Sequence, residues 1–294
     1  ETSVLSLTEI AAFRGIDLGD PFLVENGVER LAEPSAWKQL ITLGQDRQQA
    51  RDEAFEAMAG RGGYPLAHRS NIPWPELSDQ LNETVINRVL QHDVPRIGDV
   101  GRKRDPELVA EVFRLVCRYA GQSPGVRTMA REVQRTLDAD VGHDRIRSYL
   151  RVLGEALLVH IVEPLEIRLK RRRGDAKLCL VDHALRASWL HEQVPLSTAG
   201  LAAAPHLTAL AGRIAESVVG ACLSSVPGLD VNHLPARQEQ PEVDFILTVG
   251  TRRIPVEVKY QRHIEPLADT EGLRTFLEQT ANNAPFGVLV TQSG

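Results

Sequence analysis

The amino-acid sequence predicts an α+β protein in three consecutive units: a helical N-terminal connector (1–105), a three-helix unit with a hairpin (106–189) and a closing α/β unit (190–294). Three observations lead there. Through most of the first 190 residues, apolar side chains recur at helical spacing between capping and breaking residues. Around Gly250, alternating apolar residues flank a short turn, the mark of two paired strands. Charge is segregated as well: 101–190 hold 18 Lys/Arg against 12 Asp/Glu, net +6, whereas 1–100 carry −7 and 191–294 carry −4. A hydrophobic share of 43% with 25% charged residues supplies a packed core and excludes a disordered chain.

In the first unit, Ala36–Ile41 and Arg51–Met58 read as helices, and Leu77–Leu90 as a longer amphipathic one. Between them, Gly60 to Pro65 reads as a turn. The pair Gly62 and Gly63 invites a phosphate-loop reading, but no G-x-x-x-x-G-K-[ST] occurs anywhere in the chain. A tight turn before Pro65 is the better account.

The second unit opens at Asp105 and Pro106, a helix start, followed by the periodic run Leu108, Val109, Val112, Phe113, Val116 and Tyr119. Gly121 to Gly125 break it; Val126–Leu137 and His143–Leu153 are the second and third helices. Strands at Leu157–Val162 and Lys177–Val181 then form a hairpin. Three helices and a hairpin make a winged helix, a variant of the helix-turn-helix plan. Its wing tip would carry Arg168, Lys170, Arg171, Arg172 and Arg173. The third helix offers Arg145, Arg147 and Arg151, of which the last two share a face. A local positive field of this kind suits a phosphate backbone, so nucleic acid is the expected partner, DNA ahead of RNA. No aromatic residue interleaves the basic residues of the wing, which argues against base stacking there. The competing reading is a solvated loop or a surface for a regulatory protein partner.

The third unit holds the chemistry. Glu242, Val243, Asp244 and Phe245 open one strand; Val256, Glu257, Val258, Lys259 and Tyr260 close the next. Strand alternation puts Glu257 and Lys259 on one face, with Val256, Val258 and Tyr260 on the other. Asp244 on the neighbouring strand can reach the same point. Two carboxylates beside a lysine suit a site that holds Mg²⁺ or Mn²⁺ and polarises a water against a phosphodiester. The ordinary alternative is a solvated strand face, with Glu242 and Asp244 decorating an edge.

These residues resemble the core of the PD-(D/E)xK nuclease superfamily, Asp244 with Glu257-x-Lys259. The resemblance implies a mixed central sheet, metal ligation by Asp244 and Glu257, a catalytic role for Lys259, and a further acid on the preceding helix, here Glu216. Glu271 to Leu277 and Phe286 to Thr291 supply the helix and strand completing such a core. A wider ordered set runs from Gly62–Pro65 through Lys177–Asp182, Gly212, Glu216, Ser217 and Val218 to Asp244 and Lys259. It resembles the C-terminal half of bacterial and archaeal AAA-type ATPases that carry a DUF4143 domain, with residues 3–10 similar to the segment after the ATPase core. That implies the effector half of an ATPase-coupled protein, with ATP bound only by an upstream domain outside this chain, and a homo-oligomer as one assembly. The alternative function is a catalytically silent nuclease-fold module tethering an ATPase to nucleic acid or a partner, as in a toxin–antitoxin or defence setting.

The remaining features restrict the class. No run approaches the roughly 18 apolar residues of a membrane span, so no membrane association is expected. Cys117, Cys179 and Cys222 are far apart and set in apolar sequence, reading as buried small hydrophobes in a reducing, cytoplasmic setting. The nine histidines form no zinc spacing.

Overall fold

The computed structural model describes residues 4–20, 22–23, 27–69, 72–93, 105–166, 174–237, 240–261 and 263–292. The architecture is mixed α+β, with a two-stranded sheet and a four-stranded mixed sheet among the described residues.

Helices α1 (Leu7–Phe13), α2 (Pro34–Asp46), α3 (Gln48–Arg61) and α4 (Pro65–Arg69) make up the first part. Ser6 and Glu9 close a reciprocal capping box at the start of α1. The Gly62–Gly63 turn lies between α3 and α4, and it is already filled. Gly62 adopts φ +78°, and a Cβ there would overlap the carboxylate of Asp182. That buried carboxylate accepts the Gly63 N–H at 2.7 Å and the Ala184 N–H at 2.9 Å. The glycines therefore serve a long-range anchor, in agreement with the turn reading. The expected helix over Leu77–Leu90 begins as α5 (Trp74–Leu81) and then widens into π-type turns over Asn82–Asn87 and Val89–Asp93.

Asp105 starts α6 (Pro106–Arg118) by accepting the Glu107 N–H at 3.0 Å, with Pro106 in the first turn. Next come α7 (Val126–Leu137), α8 (His143–Glu155) and an antiparallel hairpin of β1 (Val159–Val162) and β2 (Lys177–Leu180). Leu108, Val112 and Phe113 of α6 pack with Met129 and Val133 of α7, Ile146 and Leu153 of α8, and Leu178 and Leu180 of β2. The Phe113 ring meets Trp189 edge-on at 5.7 Å, at the end of α9 (His183–Trp189).

After α10 (Thr198–Ala203), α11 (Thr208–Ser224) leads into the larger sheet. Its order is β3 (Asp230–Leu234), β4 (Val243–Val249), β5 (Arg252–Lys259) and β6 (Val288–Thr291), with α12 (Glu271–Glu278) between the last two. The first three strands are antiparallel and β6 joins β5 in parallel, so the sheet is mixed. Phe245, Leu247 and Val256 face Val219 and Leu223 of α11, whereas Ile246 faces Leu273 and Phe276 of α12. Burial on both faces explains the near-continuous apolar run of β4.

The same core joins all three units. Val28, Leu31 and Ala32 from the first and Val162 and Cys179 from the hairpin pack with Phe245 and Leu247. Cys117 and Cys179 are buried as expected, but Cys222 is exposed, because it lies on the outer side of α11. Pro205–Ser224 is long and apolar enough, with mean hydropathy 1.3, to pass the membrane-span test by length and composition alone. Here α11 lies against β1, β2, β3 and β5, and the hydroxyl oxygen of Ser217 within it accepts the Leu180 N–H at 2.9 Å.

Candidate functional site

The β4–β5 register pairs Phe245 with Val256 and Ile246 with Pro255. The paired register stops there: the Asp244 side chain turns to the Val258 N–H, while alternation along β5 puts Glu257 and Lys259 on one face. The turn at Gly250, with φ +60°, fixes that register. Gly272 at the start of α12 adds a close approach, since a Cβ there would overlap the Glu242 carbonyl oxygen.

The polar atoms of the site satisfy one another unevenly. Lys259 Nζ lies 2.8 Å from Glu257 Oε1. Asp244 Oδ2 accepts the Val258 N–H at 2.9 Å. Glu257 Oε2 is buried and accepts no hydrogen bond. Glu216, on α11, lies beside Asp244.

The residue that sequence reasoning missed is Lys177. It opens β2, in the hairpin of the middle unit, yet its ammonium is 0% exposed and reaches the acids of the closing unit. Nζ pairs with Glu216, with Glu242 Oε1 at 3.1 Å and with Asp244 Oδ1 at 3.1 Å, and lies 5.2 Å from the Phe245 ring centroid. Oxygens of Glu216, Glu242 and Asp244 fall within 4.8 Å of one another, a spacing that could hold a metal ion. Glu242 is thus more than edge decoration, although its side chain stays 46% exposed. The sequence signal for Lys177 was thin: a lone cation opening an otherwise apolar strand.

Burial sets the charges. It would lower the Lys177 ammonium, but Asp244, Glu216 and Glu242 outweigh it and hold the group above the usual lysine range. Burial, reinforced by Asp244 and opposed by Lys177, pushes Glu216 up to about 8. Glu257 rises to about 7 through burial and repulsion by Asp244, despite Lys259. Asp244 goes the other way: its burial is overcome by Lys177 and by hydrogen bonds to its ionised form. Burial thus pushes Glu216 toward its protonated form, while Lys177 holds Asp244 toward its charged one. His233 of β3, buried and facing the Lys177 charge, drops to about 4; its Nε2 lies 3.1 Å from the Asp175 carbonyl oxygen.

A family model described as a domain of unknown function (DUF8612) matches residues 52–194, a little under half of the chain. No curated protein and no solved structure matches it significantly. The matched stretch runs from within α3 to just beyond α9 and includes Lys177 and Asp182, but stops short of Glu216, Asp244, Glu257 and Lys259.

The basic residues expected to meet nucleic acid divide in two. Arg145, Arg147 and Arg151 are exposed on α8. Arg147 pairs with Asp144 at 3.1 Å and Arg151 with Glu155 at 3.9 Å, while Arg145 lies over the Tyr149 ring at 5.7 Å. These acids weaken the positive face. Arg168, Lys170, Arg171, Arg172 and Arg173 lie outside the described residues.

Proposed function

We propose that the closing unit is a divalent-metal-dependent phosphodiesterase of the PD-(D/E)xK type, acting on nucleic acid, DNA in the first instance. One observation carries the reading: Asp244 accepts the N–H of Val258, the residue between the paired Glu257 and Lys259, and Glu216 lies beside Asp244. The donor set fits. Carboxylate oxygens are the hard ligands that Mg²⁺ and Mn²⁺ take, and Glu257 Oε2 is a buried acceptor without a donor. Asp244 and Glu257 would hold the ion. When bound, it supplies a polarised water and balances charge on the phosphate. Lys259, positioned by Glu257, orients that water or answers the charge that develops on the phosphoryl oxygens. Glu216, pushed up by burial, lies within reach of Asp244 to assist through the metal or the water.

The middle unit, in this reading, is a winged helix that contacts the phosphate backbone through α8 and the wing, consistent with its net +6 over 101–190. The ordered motifs support an effector role within an ATPase-coupled protein. The test is cleavage of plasmid, single-stranded DNA and RNA by the purified chain with Mg²⁺ or Mn²⁺. Asp244→Ala and Glu257→Ala should abolish it, and Lys259→Ala should slow it roughly a hundredfold or more. Cleavage that survives Asp244→Ala defeats the assignment.

Lys177 favours a second reading. A fully buried ammonium among three carboxylates is what a site that has given up its metal would contain. The unit is then a catalytically silent interaction module, and nucleic acid is bound but never cut.

A further inference from the structure

Lys177 is a cation delivered to the acids by another part of the chain. An ammonium has three donors, and here it has three carboxylate partners, Glu216, Glu242 and Asp244. Its strand is pinned at the same point: the Leu178 N–H donates to the Gln122 carbonyl oxygen at 2.9 Å, and the Gly121 N–H to the Leu178 carbonyl oxygen at 2.8 Å. Lys177 itself sits opposite Val162 in the hairpin. The stem therefore has little freedom to swing out without disturbing the hairpin and the turn after α6.

Mg²⁺ draws its oxygens in to about 2.0–2.1 Å and would crowd any ammonium sharing the same three carboxylates. The two cations exclude each other. On the other side of Asp244 the situation differs. Oδ2 faces the Val258 N–H, and Glu257 Oε2 has no donor at all.

We propose that Lys177 is the resident cation of the Glu216–Glu242–Asp244 cage, that it keeps divalent ions out of that cage, and that it leaves one ion position, on the Glu257 side of Asp244. The one-ion count rests on the phosphodiesterase reading above; the occupation of the cage does not. A consequence is that the acidic site is complete only with β2 in place, so the middle unit contributes directly to it.

The experiment is a Mn²⁺ titration of the whole chain, following heat and free Mn²⁺ by paramagnetic resonance, so that neither readout needs activity. The wild-type protein is expected to take one ion. Glu242→Gln, an exposed change, should leave its affinity within about twofold, whereas Glu257→Gln should weaken it roughly tenfold or more. Lys177→Met should take one ion more than wild type. Two ions in the wild type, a Glu242→Gln loss as large as that of Glu257→Gln, or no added ion in Lys177→Met overturns the proposal. No ion in the wild type but one in Lys177→Met upholds the cage and removes the metal-dependent nuclease reading instead. If Lys177→Met is unfolded in chelator by circular dichroism, refolding with millimolar Mn²⁺ shows the ion taking the ammonium's place. Persistent unfolding with Mn²⁺ overturns it.

Discussion

Glu216→Gln should change how stability responds to pH. The Glu216 carboxyl is raised from 4.5 to about 8 in the folded chain, first by burial and then by Asp244, with Lys177 opposing. A raised folded value means that the native state binds a proton which the unfolded chain has already released. The contribution is full below the unfolded value near 4.5 and is lost as pH climbs through about 8. Within that window the native protein should lose about 1.4 kcal/mol per pH unit from this group. From pH 6 to 8 that is roughly 2–3 kcal/mol, or about 4–12 °C in Tm at about 2–4 °C per kcal/mol. Glutamine keeps the shape of the protonated acid and removes the titration. Thermal melts of wild type and Glu216→Gln in chelator, every half pH unit, isolate the effect, because His68, His160 and His233 shift both proteins alike. Parallel Tm curves would refute the reasoning, and so would a wild type that gains on Glu216→Gln as pH rises.

Further outcomes follow from the same contacts. Asp182→Ala leaves the Gly63 and Ala184 N–H groups without their acceptor in a buried setting, so denaturant melts should show a loss of about 2–3 kcal/mol. Gly272→Val should push α12 from the start of β4, costing about 1–3 kcal/mol and weakening Mn²⁺ binding in the same titration. Replacing Arg147 and Arg151 by Ala should weaken nucleic-acid binding across sequences and flatten its salt dependence by roughly one log–log unit per lost phosphate contact; an unchanged slope assigns them to Asp144 and Glu155 alone. The isolated chain should bind no ATP in an equilibrium assay, because it has no G-x-x-x-x-G-K-[ST] sequence.

Much of the local structure was legible because it is governed by short-range rules. The alternation around Gly250 gave both strands and their shared face, and the Asp105–Pro106 start and the Leu137 end of α7 fell within a residue of expectation. Where the signals failed, something distant decided. The helix after Trp74 widens into π-type turns although its apolar period runs on, as Asn82 and Ser78 engage Ser188 across the chain. Cys222 sits in apolar sequence yet faces outward, because Gly220 and Ala221 take the inner side of α11, and a Cβ at Gly220 would collide with Cys179 and Phe245.

The site shows the same division more sharply. Glu257 and Lys259 share a face by strand alternation, a rule of period two that a sequence displays openly, and Asp244 reaches the Val258 N–H between them. Lys177 joins them only because α11 packs on β2, bringing an acid 39 residues downstream and two more on the entry to β4 around one ammonium. Nothing local marks such a lysine as buried. What the sequence did contain was an imbalance: Glu216, Glu242, Asp244 and Glu257 are four acids against the single base Lys259. Four carboxylates drawn together must find positive charge, take up protons or repel. In this fold they do the first through Lys177 and the second at Glu216 and Glu257. With two lysines against four acids, full ionisation still leaves two negative charges uncompensated, which is the charge of one divalent ion. The raised carboxyls of Glu216 and Glu257 and the unpaired Glu257 oxygen are the forms that deficit takes.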